Sequence, residues 1–396
     1  MKIRLFFLLL SLLLCQWTIA QQTVSSGKLI EYSRFNSTIV PSRNVFVWLP
    51  TGYSTRERYD VLYMHDGQML FDANTTWNKQ EWGIDEIVGK LLSEKKMEPC
   101  IVVGIASIPE TRYEDYFPQK ALNYLPDEQL PEDISFNADN YLRFLVEEVK
   151  PFIDKEYSTN KSVEHTFVMG SSMGGLISLY ALCEYPEVFG GAACMSTHVP
   201  MILSKELSKE KADQWSRAFR NYLDENLPTA NSRIIYMDRG DATLDAYYPP
   251  YQDELDKLMR KKGWKGPMWV SKVFPGAAHT EVDWNKRLDN PLLFLLGTDR
   301  KDCICDKKNT DMSPDDYLIS KFKDADIVLL AEDHGVKENL DFVKKMIPKL
   351  YANGIYMLGM EFGAYEDQKQ LDSLINAPRY NENLARQLMF NYNTRW

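Results

Sequence analysis

The 396-residue chain has no excess of positive charge, since 46 Lys and Arg residues stand against 56 Asp and Glu and give a net charge of −10. A chain with this balance repels nucleic acid and anionic lipid, which argues against a nucleic-acid function. Internal repeats and low-complexity tracts are also missing. With 44% hydrophobic residues, the composition is that of an ordinary globular protein.

Long apolar runs are missing too, except at the start of the chain. Lys2 and Arg4 precede an apolar run from Leu5 to Leu14, and the small residues that end at Ala20 are typical of a cleavage site. The run is too short to span a bilayer comfortably. The sequence therefore predicts a signal peptide over residues 1–20 and a secreted or periplasmic protein that has no membrane anchor after cleavage.

Cysteine is scarce, and five cysteines remain after the predicted cleavage: Cys100, Cys183, Cys194, Cys303 and Cys305. An odd number in an exported protein leaves at least one free thiol or an intermolecular bond. The first three lie in apolar stretches and are predicted core residues. The last two lack the spacing of a zinc half-site, so neither a metal ion nor an organic cofactor is predicted.

Strand-like stretches alternate with helix-like stretches over most of the chain. The strand-like stretches are residues 28–35, 43–49, 60–65, 101–106, 191–196, 233–237 and 268–274. The helix-like stretches are residues 82–93, 139–154, 204–223 and 250–262. This alternation predicts an α/β fold with a mostly parallel central sheet and helices on both faces.

The character of the chain changes near residue 299. Residues 21–298 form the predicted first domain, and the polar, charged residues 299–316 are typical of a linker. Beyond the linker, strand-like stretches at 325–331 and 355–360 flank a helix-like one. Residues 317–396 are therefore predicted to be a small C-terminal α/β unit, and the sequence leaves open whether that unit is complete.

One motif points to chemistry. Residues 170–174 read Gly-Ser-Ser-Met-Gly, a G-x-S-x-G pattern with a strand-like run before it and a helix-like stretch after it. In that context the serine lies on a sharp turn that projects its hydroxyl above the sheet, and the N-terminus of the helix points at the same place. Ser172 is the predicted nucleophile.

A nucleophilic serine needs a histidine base, and that histidine needs a carboxylate to orient it. The chain has only five histidines, and His279 lies in a loop just after the last strand-like stretch of the first domain, where this architecture delivers its base. Three Asp residues follow the 233–237 strand. Asp245 is favoured and Asp241 is next, because the loop must clear the strand end to meet the base, while Asp238 is expected to be structural.

Acyl transfer also needs backbone donors for the developing oxyanion. One predicted donor is the N–H of Met173, which follows the nucleophile. The second is expected in the loop after an early strand, where Gln68 or Gly67 is assigned because glycine lets the backbone turn an N–H inward. The side chain of His65 is expected to pack or hydrogen-bond rather than act as a second base.

Residues 28–297 resemble the putative esterase (esterase D-like) family of α/β-hydrolases, which includes feruloyl, acetylxylan and enterochelin esterases. The matching segments are VFVWLP (45–50), YMHDGQ (63–68), EWGIDE (81–86), GSSMGG (170–175), YPEVF (185–189) and FPGAAHTE (274–281), with Trp284. The resemblance implies an α/β-hydrolase fold and hydrolysis of carboxylic esters. It leaves the substrate open, since members act on esters of phenolic acids, acetylated sugars, siderophores and thiols, and some transfer acyl groups.

Three residues are predicted to contact the substrate. Residues 111–118 resemble a family segment on the substrate side, so Arg112 is expected either to bind a polar or anionic group or to form a structural salt bridge. Trp82, in one of the matching segments, and His198 are the other two.

The C-terminal unit is similar, at residues 330–335 and 360–363, to the start of the erythromycin-esterase-like and haem-uptake superfamily. In that superfamily Glu and His residues at strand ends form the site, and the matching positions are Glu332, His334 and Glu361. Because the likeness lacks the rest of that domain, a packing role is expected.

These features predict a secreted serine esterase that acts through a Ser172–His279–Asp245 triad and an acyl-enzyme. The expected substrate is a small-molecule or oligosaccharide ester, either an acylated or feruloylated glycan or a siderophore ester. Two alternatives stay open: an acyltransferase on the same triad, and a catalytically silent module that binds glycans or siderophores. The intact Ser, His and Asp candidates argue against the silent module.

Overall fold

The computed structural model describes residues 22–126, 135–202, 208–230, 232–299, 313–322, 337–355, 368–379 and 381–384. The chain divides into two compact units, Met1–Asp306 and Lys307–Trp396. The predicted signal peptide, Cys303 and Cys305 lie outside the described residues. Among the helices of the described residues, none is long and apolar enough to cross a membrane.

The first unit is built on one eight-stranded sheet with the order β1-β2-β4-β3-β5-β6-β7-β8. Its strands are β1 (Lys28–Phe35), β2 (Arg43–Leu49), β3 (Asp60–His65), β4 (Cys100–Ile105), β5 (Thr166–Ser171), β6 (Gly191–Met195), β7 (Ile234–Arg239) and β8 (Trp269–Val273). β2 runs antiparallel to both β1 and β4, and every other neighbouring pair is parallel. The predicted mostly parallel sheet is confirmed.

Helices follow most of the strands. They are α1 (Ile84–Ser93), α2 (Arg112–Tyr116), α3 (Ala138–Arg143), α4 (Lys150–Glu156), α5 (Met173–Glu184), α6 (Lys209–Asn226), α7 (Pro249–Lys261), α8 (Glu281–Asn285) and α9 (Asp289–Leu296). A π-helical turn over Phe144–Val149 joins α3 to α4. α6 begins later than predicted because the Ser208 hydroxyl caps it by accepting from the Lys211 N–H.

Two apolar cores lie on opposite faces of the sheet. Val45 and Val47 of β2 belong to the core that α3, α5, α6 and α7 cover, whereas Phe46 and Trp48 belong to the core under α1 and α9. Successive strand residues point to opposite faces, so strands that are covered on both sides are apolar throughout. Cys100, Cys183 and Cys194 are buried in these cores, which confirms their prediction as core residues.

The second unit contains three described helices, α10 (Pro314–Lys321), α11 (Lys337–Ala352) and α12 (Gln368–Ile375). α10 begins inside the segment predicted as a linker, with the Ser313 hydroxyl accepting from the Asp316 N–H as its cap. The predicted strand at 325–331, the strand at 355–360 beyond its first residue, and Glu332, His334 and Glu361 lie outside the described residues.

Candidate active site

Ser172 lies on the turn between β5 and α5, with φ 58° and ψ −121°. This is a sparsely populated backbone conformation, and the surrounding backbone fixes it. The Ser172 N–H donates to the Met195 carbonyl at 2.9 Å, and the Ser172 carbonyl accepts from the N–H of His198 at 3.1 Å. A Cβ on Gly170 would lie 2.6 Å from the Gly174 carbonyl oxygen, which explains the glycine before the serine.

His279 and Asp245 form a hydrogen-bonded pair. The Nδ1 of His279 lies 2.5 Å from Oδ1 of Asp245. Since an ionised carboxylate only accepts, Nδ1 carries the hydrogen and Nε2 is left to accept a proton. The imidazole ring packs edge-on against Trp284 at 5.0 Å and against Tyr248 at 5.8 Å between ring centroids, and the His279 N–H donates to the Thr243 hydroxyl.

The Asp245 carboxylate is fully buried, and both of its oxygens accept hydrogen bonds. Its second oxygen, Oδ2, accepts from the Ser196 hydroxyl and from the Gly240 N–H, both at 2.6 Å. Burial raises the pKa of this carboxyl, but the hydrogen bonds from His279, Ser196 and Gly240 outweigh it and hold the pKa below its ordinary value. The group therefore remains ionised opposite the imidazole.

Two buried side chains in turn hold the Ser196 hydroxyl by hydrogen bonds. The Ser196 hydroxyl accepts from Trp284 Nε1 at 3.0 Å and from Arg287 Nη2 at 2.7 Å. Arg287 also forms an ion pair with Asp238 at 3.1 Å. Both charged side chains are almost wholly buried, so each compensates the desolvation of the other. Asp238 thus has the structural position that the sequence predicts.

Asp241, the alternative acid, instead holds two loops together. Its Oδ1 accepts from the Gly276 N–H at 2.6 Å, and its own N–H donates to the Ala277 carbonyl at 3.2 Å. A Cβ on Gly240 would lie 2.0 Å from that same carbonyl oxygen, so the loop after β7 lies directly against the loop that carries His279.

The loop after β3 lies beside the start of α5. A Cβ on Gly174 would meet Oδ2 of Asp66 and the Cβ of His65, each at 3.5 Å. Gly67 and Gln68 form a single 3-10 turn, and the Gln68 side chain is tied to Ser107 by hydrogen bonds of 2.9 and 3.0 Å. The first N–H groups of a helix have no acceptor within the helix. The N–H of Met173, the first residue of α5, is in that position.

The three predicted substrate-contacting residues are all held by contacts within the protein, and Arg112 forms the salt bridge that was one of its two expected roles. Arg112 donates through Nε and Nη2 to both oxygens of Asp66, each at 2.7 Å. These two nitrogens of its guanidinium group are therefore occupied by a salt bridge. Trp82 is 2% exposed and packs against Trp284, which leaves it no face for a substrate. His198 is equally buried, and both of its ring nitrogens have partners within the protein.

His65 has the packing role expected of it. The ring is 2% exposed and its Nδ1 lies 2.7 Å from the Tyr141 hydroxyl. Burial lowers the pKa of His65 to about 3, with Arg112 lowering it further and Asp66 opposing both. A ring that stays neutral and buried is unsuited to shuttling protons.

An open groove of about 410 Å³ borders the loop after β3. Gln68 and Ser107 line it on one side, and Trp77 stands on its rim with 82% of its surface exposed. The loop that carries Trp77 is anchored near His279, since Asn78 Nδ2 donates to Glu281 at 2.9 Å. The groove therefore extends from Gln68 to an exposed aromatic ring, and Ser172, His279 and Asp245 are not among the residues that line it.

Sequence reasoning missed Ser196 and Tyr248. Ser196 directly follows β6, and polar residues at the carboxyl ends of parallel strands gather at one edge of the sheet, so its position was a usable signal. The Tyr248 hydroxyl lies 2.8 Å from Nδ1 of His198, and its ring lies edge-on to that of His279. It is one of 22 tyrosines, and nothing in its local sequence marks it.

Comparison with known proteins gives matches over the first unit. A family model described as Putative esterase matches residues 37–295, more than half of the chain. The protein YbbA of Bacillus subtilis (strain 168) is 26% identical over 266 residues, which cover 65% of this chain and 94% of YbbA. The ferri-bacillibactin esterase BesA of the same organism is 26% identical over 175 residues, which cover 41% of this chain and 57% of BesA.

A solved structure is similar as well. The BES protein from Bacillus cereus superposes with a TM-score of 0.50 at 17% sequence identity, and the match covers 70% of this chain and 98% of that chain. At this level of identity the likeness concerns the fold.

Proposed function

This chain belongs to the Putative esterase family, and so to the carboxylic ester hydrolases, and from that premise we propose that it acts as a serine esterase through an acyl-enzyme on Ser172. The α/β-hydrolase fold that the sequence predicts is confirmed. The observation that carries the proposal is the 2.5 Å hydrogen bond between His279 and the fully buried Asp245, together with the positive φ of Ser172 on the turn between β5 and α5.

In the proposed mechanism, Nε2 of His279 takes the proton of the Ser172 hydroxyl while Oγ attacks the ester carbonyl. The N–H groups of Met173 and of Gly67 or Gln68 stabilise the oxyanion, and Asp245 stabilises the imidazolium. The imidazolium then protonates the leaving alcohol. His279 next takes a proton from a water molecule as the water oxygen attacks the acyl-enzyme, and it returns this proton to Oγ of Ser172 as the acid is released.

We propose an acylated or feruloylated glycan, or a siderophore ester, as the substrate. The similarity to a ferri-bacillibactin esterase supports the siderophore class. The exposed Trp77 on the rim of the groove supports the glycan class, because aromatic rings stack on sugar faces and on phenolic acids. Steady-state hydrolysis of acetylated xylan, feruloylated arabino-oligosaccharide and a catecholate siderophore lactone distinguishes them, and turnover of none of the three would contradict both assignments.

The same assay separates hydrolysis from acyl transfer. A serine hydrolase yields one equivalent of free acid per alcohol released, even when sugars are added as acceptors. An acylated acceptor in place of free acid would point to a transferase, and binding without turnover would point to a silent module.

We also propose that residues 1–20 direct export and that residues 21–298 carry catalysis. The basic residues at the start, the apolar run after them and the predicted cleavage site support export. N-terminal sequencing of exported protein should begin at Gln21. His334→Ala should leave ester turnover unchanged, and a loss equal to that of His279→Ala would show that the C-terminal unit takes part.

A further inference from the structure

Asp66 opens the loop after β3 in a backbone conformation that few side chains adopt. Its φ of 56° and ψ of 45° are left-handed. Aspartate and asparagine tolerate this conformation better than other residues that carry a Cβ. The Asp66 carbonyl accepts from the Met69 N–H at 2.8 Å and closes the turn that contains Gly67 and Gln68. The conformation of Asp66 therefore sets the direction of the backbone N–H groups in this turn.

The short helix α2 holds Asp66 by three hydrogen bonds. Two come from Arg112 to the carboxylate, each at 2.7 Å, and in the third the Asp66 N–H donates to the Tyr116 hydroxyl at 3.1 Å. The guanidinium carbon of Arg112 lies 5.0 Å from the centroid of the Tyr116 ring. The helix is itself anchored, because the buried Asp115 forms an ion pair with the buried Arg43 at 3.1 Å. Both the backbone and the side chain of Asp66 are thus fixed from α2.

The Asp66 carboxylate lies beside the helix that begins after the nucleophile. A Cβ on Gly174 would lie 3.5 Å from Oδ2 of Asp66. Gly174 directly follows Met173, and Asp66 directly precedes Gly67, so the two residues that meet here are chain neighbours of the proposed oxyanion donors. The Asp66 side chain is only 13% exposed, so little water screens its charge. A negative charge at this place opposes the charge that develops on the oxyanion.

Arg112 supplies the compensating positive charge. The other titratable side chains against the carboxylate are His65 and Tyr116. Burial lowers the pKa of His65 to about 3 and raises the pKa of Tyr116, so both are neutral at pH 7. Burial raises the pKa of Asp66, but the charge and the hydrogen bonds of Arg112 outweigh it and hold this pKa below its ordinary value. Asp66 is therefore ionised, and Arg112 balances its charge.

Resting on the proposed serine mechanism, we propose that Asp66 and Arg112 are a positioning pair for the oxyanion site. Asp66 fixes the turn that carries the second oxyanion donor. Arg112 holds Asp66 in place and cancels the charge that would otherwise oppose the oxyanion. Arg112 thus acts on the reaction through Asp66 and not by binding an anionic group of the substrate, which commits it to one of the two roles that the sequence leaves open.

Removing one charge and then both tests the pair. The variants are Arg112→Gln, Arg112→Lys and the D66N/R112Q double variant. The readouts are kcat and KM on p-nitrophenyl butyrate, which is neutral, and the rate of inactivation by a fluorophosphonate. R112Q should lower kcat about thirtyfold with KM nearly unchanged, because an uncompensated carboxylate opposes the charge of the transition state. R112K should lose less, since it keeps the positive charge without the two parallel hydrogen bonds.

The double variant gives a result that a merely structural role would not. D66N/R112Q has no unpaired carboxylate, and asparagine keeps the left-handed conformation, so kcat should return to within about fivefold of wild type. In R112Q alone, burial without a partner raises the pKa of Asp66. The kcat/KM of R112Q relative to wild type should therefore rise as the pH falls from 8.0 to 5.5, because protonation removes the opposing charge.

Arg143→Gln is the matched control. Arg143 donates through Nε and Nη2 to the two carboxylate oxygens of Glu147, at 3.1 and 3.2 Å, so its pairing is the same as that of Arg112. Both of its partners are exposed. R143Q should leave kcat and KM unchanged, and a loss equal to that of R112Q would show that the effect does not depend on the oxyanion site.

Two results would overturn the inference: a wild-type kcat in R112Q, or a double variant that loses as much as R112Q. A loss in R112Q that is confined to mono-p-nitrophenyl succinate, which carries a carboxylate, would also overturn it and make Arg112 a substrate contact. If R112Q lacks a cooperative melting transition, the double variant still decides, because a thirtyfold loss in it contradicts the account. Failure of the serine mechanism is recognised separately, since the wild type would then not react with the fluorophosphonate.

Discussion

The charged residues of this site depend on the groups that hydrogen-bond to them. Burying a carboxylate such as Asp245 is costly unless its oxygens are hydrogen-bonded, and here His279, Ser196 and Gly240 supply three donors. The donors also fix the direction in which the carboxylate faces the imidazole. Because Oδ2 is fully used by Ser196 and Gly240, Oδ1 remains for the histidine alone.

Replacing Asp245 by asparagine tests its assignment as the acid that orients His279. Asp245→Asn should lower kcat about 10⁴-fold on a simple ester, because an amide cannot hold the imidazole in the tautomer that accepts the serine proton. Asp241→Asn is the matched control. Its amide oxygen can still accept from the Gly276 N–H, so its kcat should remain within a few-fold of wild type. A larger loss in D241N than in D245N would assign the acid to Asp241.

At this scale, spacing and order in the sequence were enough to select His279 and Asp245, which the structure brings into contact, although their catalytic roles stay predictions. The same reasoning could not find Tyr248, because its contacts with His198 and His279 join distant parts of the chain. It also assigned His198 to the substrate, since burial of a polar ring cannot be read from neighbouring residues.

Among the elements, β5 and α5 determine where the nucleophile stands. The turn between them is tight because the backbones of residues 170 and 174 nearly touch. Seven of the eight strands were predicted within two residues of their bounds, since strands covered on both faces are apolar throughout, and β5 was predicted as a strand-like run without bounds. Their order, and the antiparallel pairing of β2, depend on contacts between distant segments and were not predictable.

The two glycines of the serine motif should respond differently to alanine. Gly170→Ala places a Cβ 2.6 Å from the backbone oxygen of Gly174 and should destabilise the protein by about 3 kcal/mol or more. Gly174→Ala meets only contacts of 3.5 Å inside a helix, where alanine is favoured by about 1 kcal/mol. Urea unfolding of both variants measures the difference, and equal midpoints would contradict the steric account.

The loop that carries Trp77 gives a prediction about the groove. Trp77→Ala should raise KM for a feruloylated or acetylated oligosaccharide about five- to tenfold, because a stacking face is lost, and leave p-nitrophenyl acetate hydrolysis unchanged. Trp77→Phe should retain most of the affinity. An equal effect of W77A on both substrates would mean that the ring supports the fold rather than the substrate.

For the whole molecule, burying neutral histidines makes stability depend on pH. The pKa of His65 is lowered to about 3 by burial, against about 6.5 in an unfolded chain. Between these values the unfolded state binds a proton that the native state does not, so the free energy of unfolding falls as the pH falls. The part of the free energy of unfolding that depends on a neutral His65 is present in full above pH 6.5. It is lost progressively as the pH falls towards 3.

Comparison with a variant isolates this contribution from the other titrating groups. Between pH 7.5 and pH 5.0, the free energy of unfolding of the wild type should fall by about 2 kcal/mol more than that of His65→Gln. Urea unfolding at the two pH values measures both. The same decrease in wild type and variant would show that His65 is protonated as readily in the native protein as in the unfolded chain.

The central claim is that Ser172 is the nucleophile of an esterase, and covalent labelling tests it most directly. Wild type and Ser172→Ala are treated with a fluorophosphonate, and the adduct is counted by intact mass and located by peptide mapping. One adduct per wild-type chain, on the peptide that contains Ser172, and none on the folded alanine variant is the predicted result. An unlabelled wild type, or a Ser172→Ala variant labelled at the same rate, would contradict the claim.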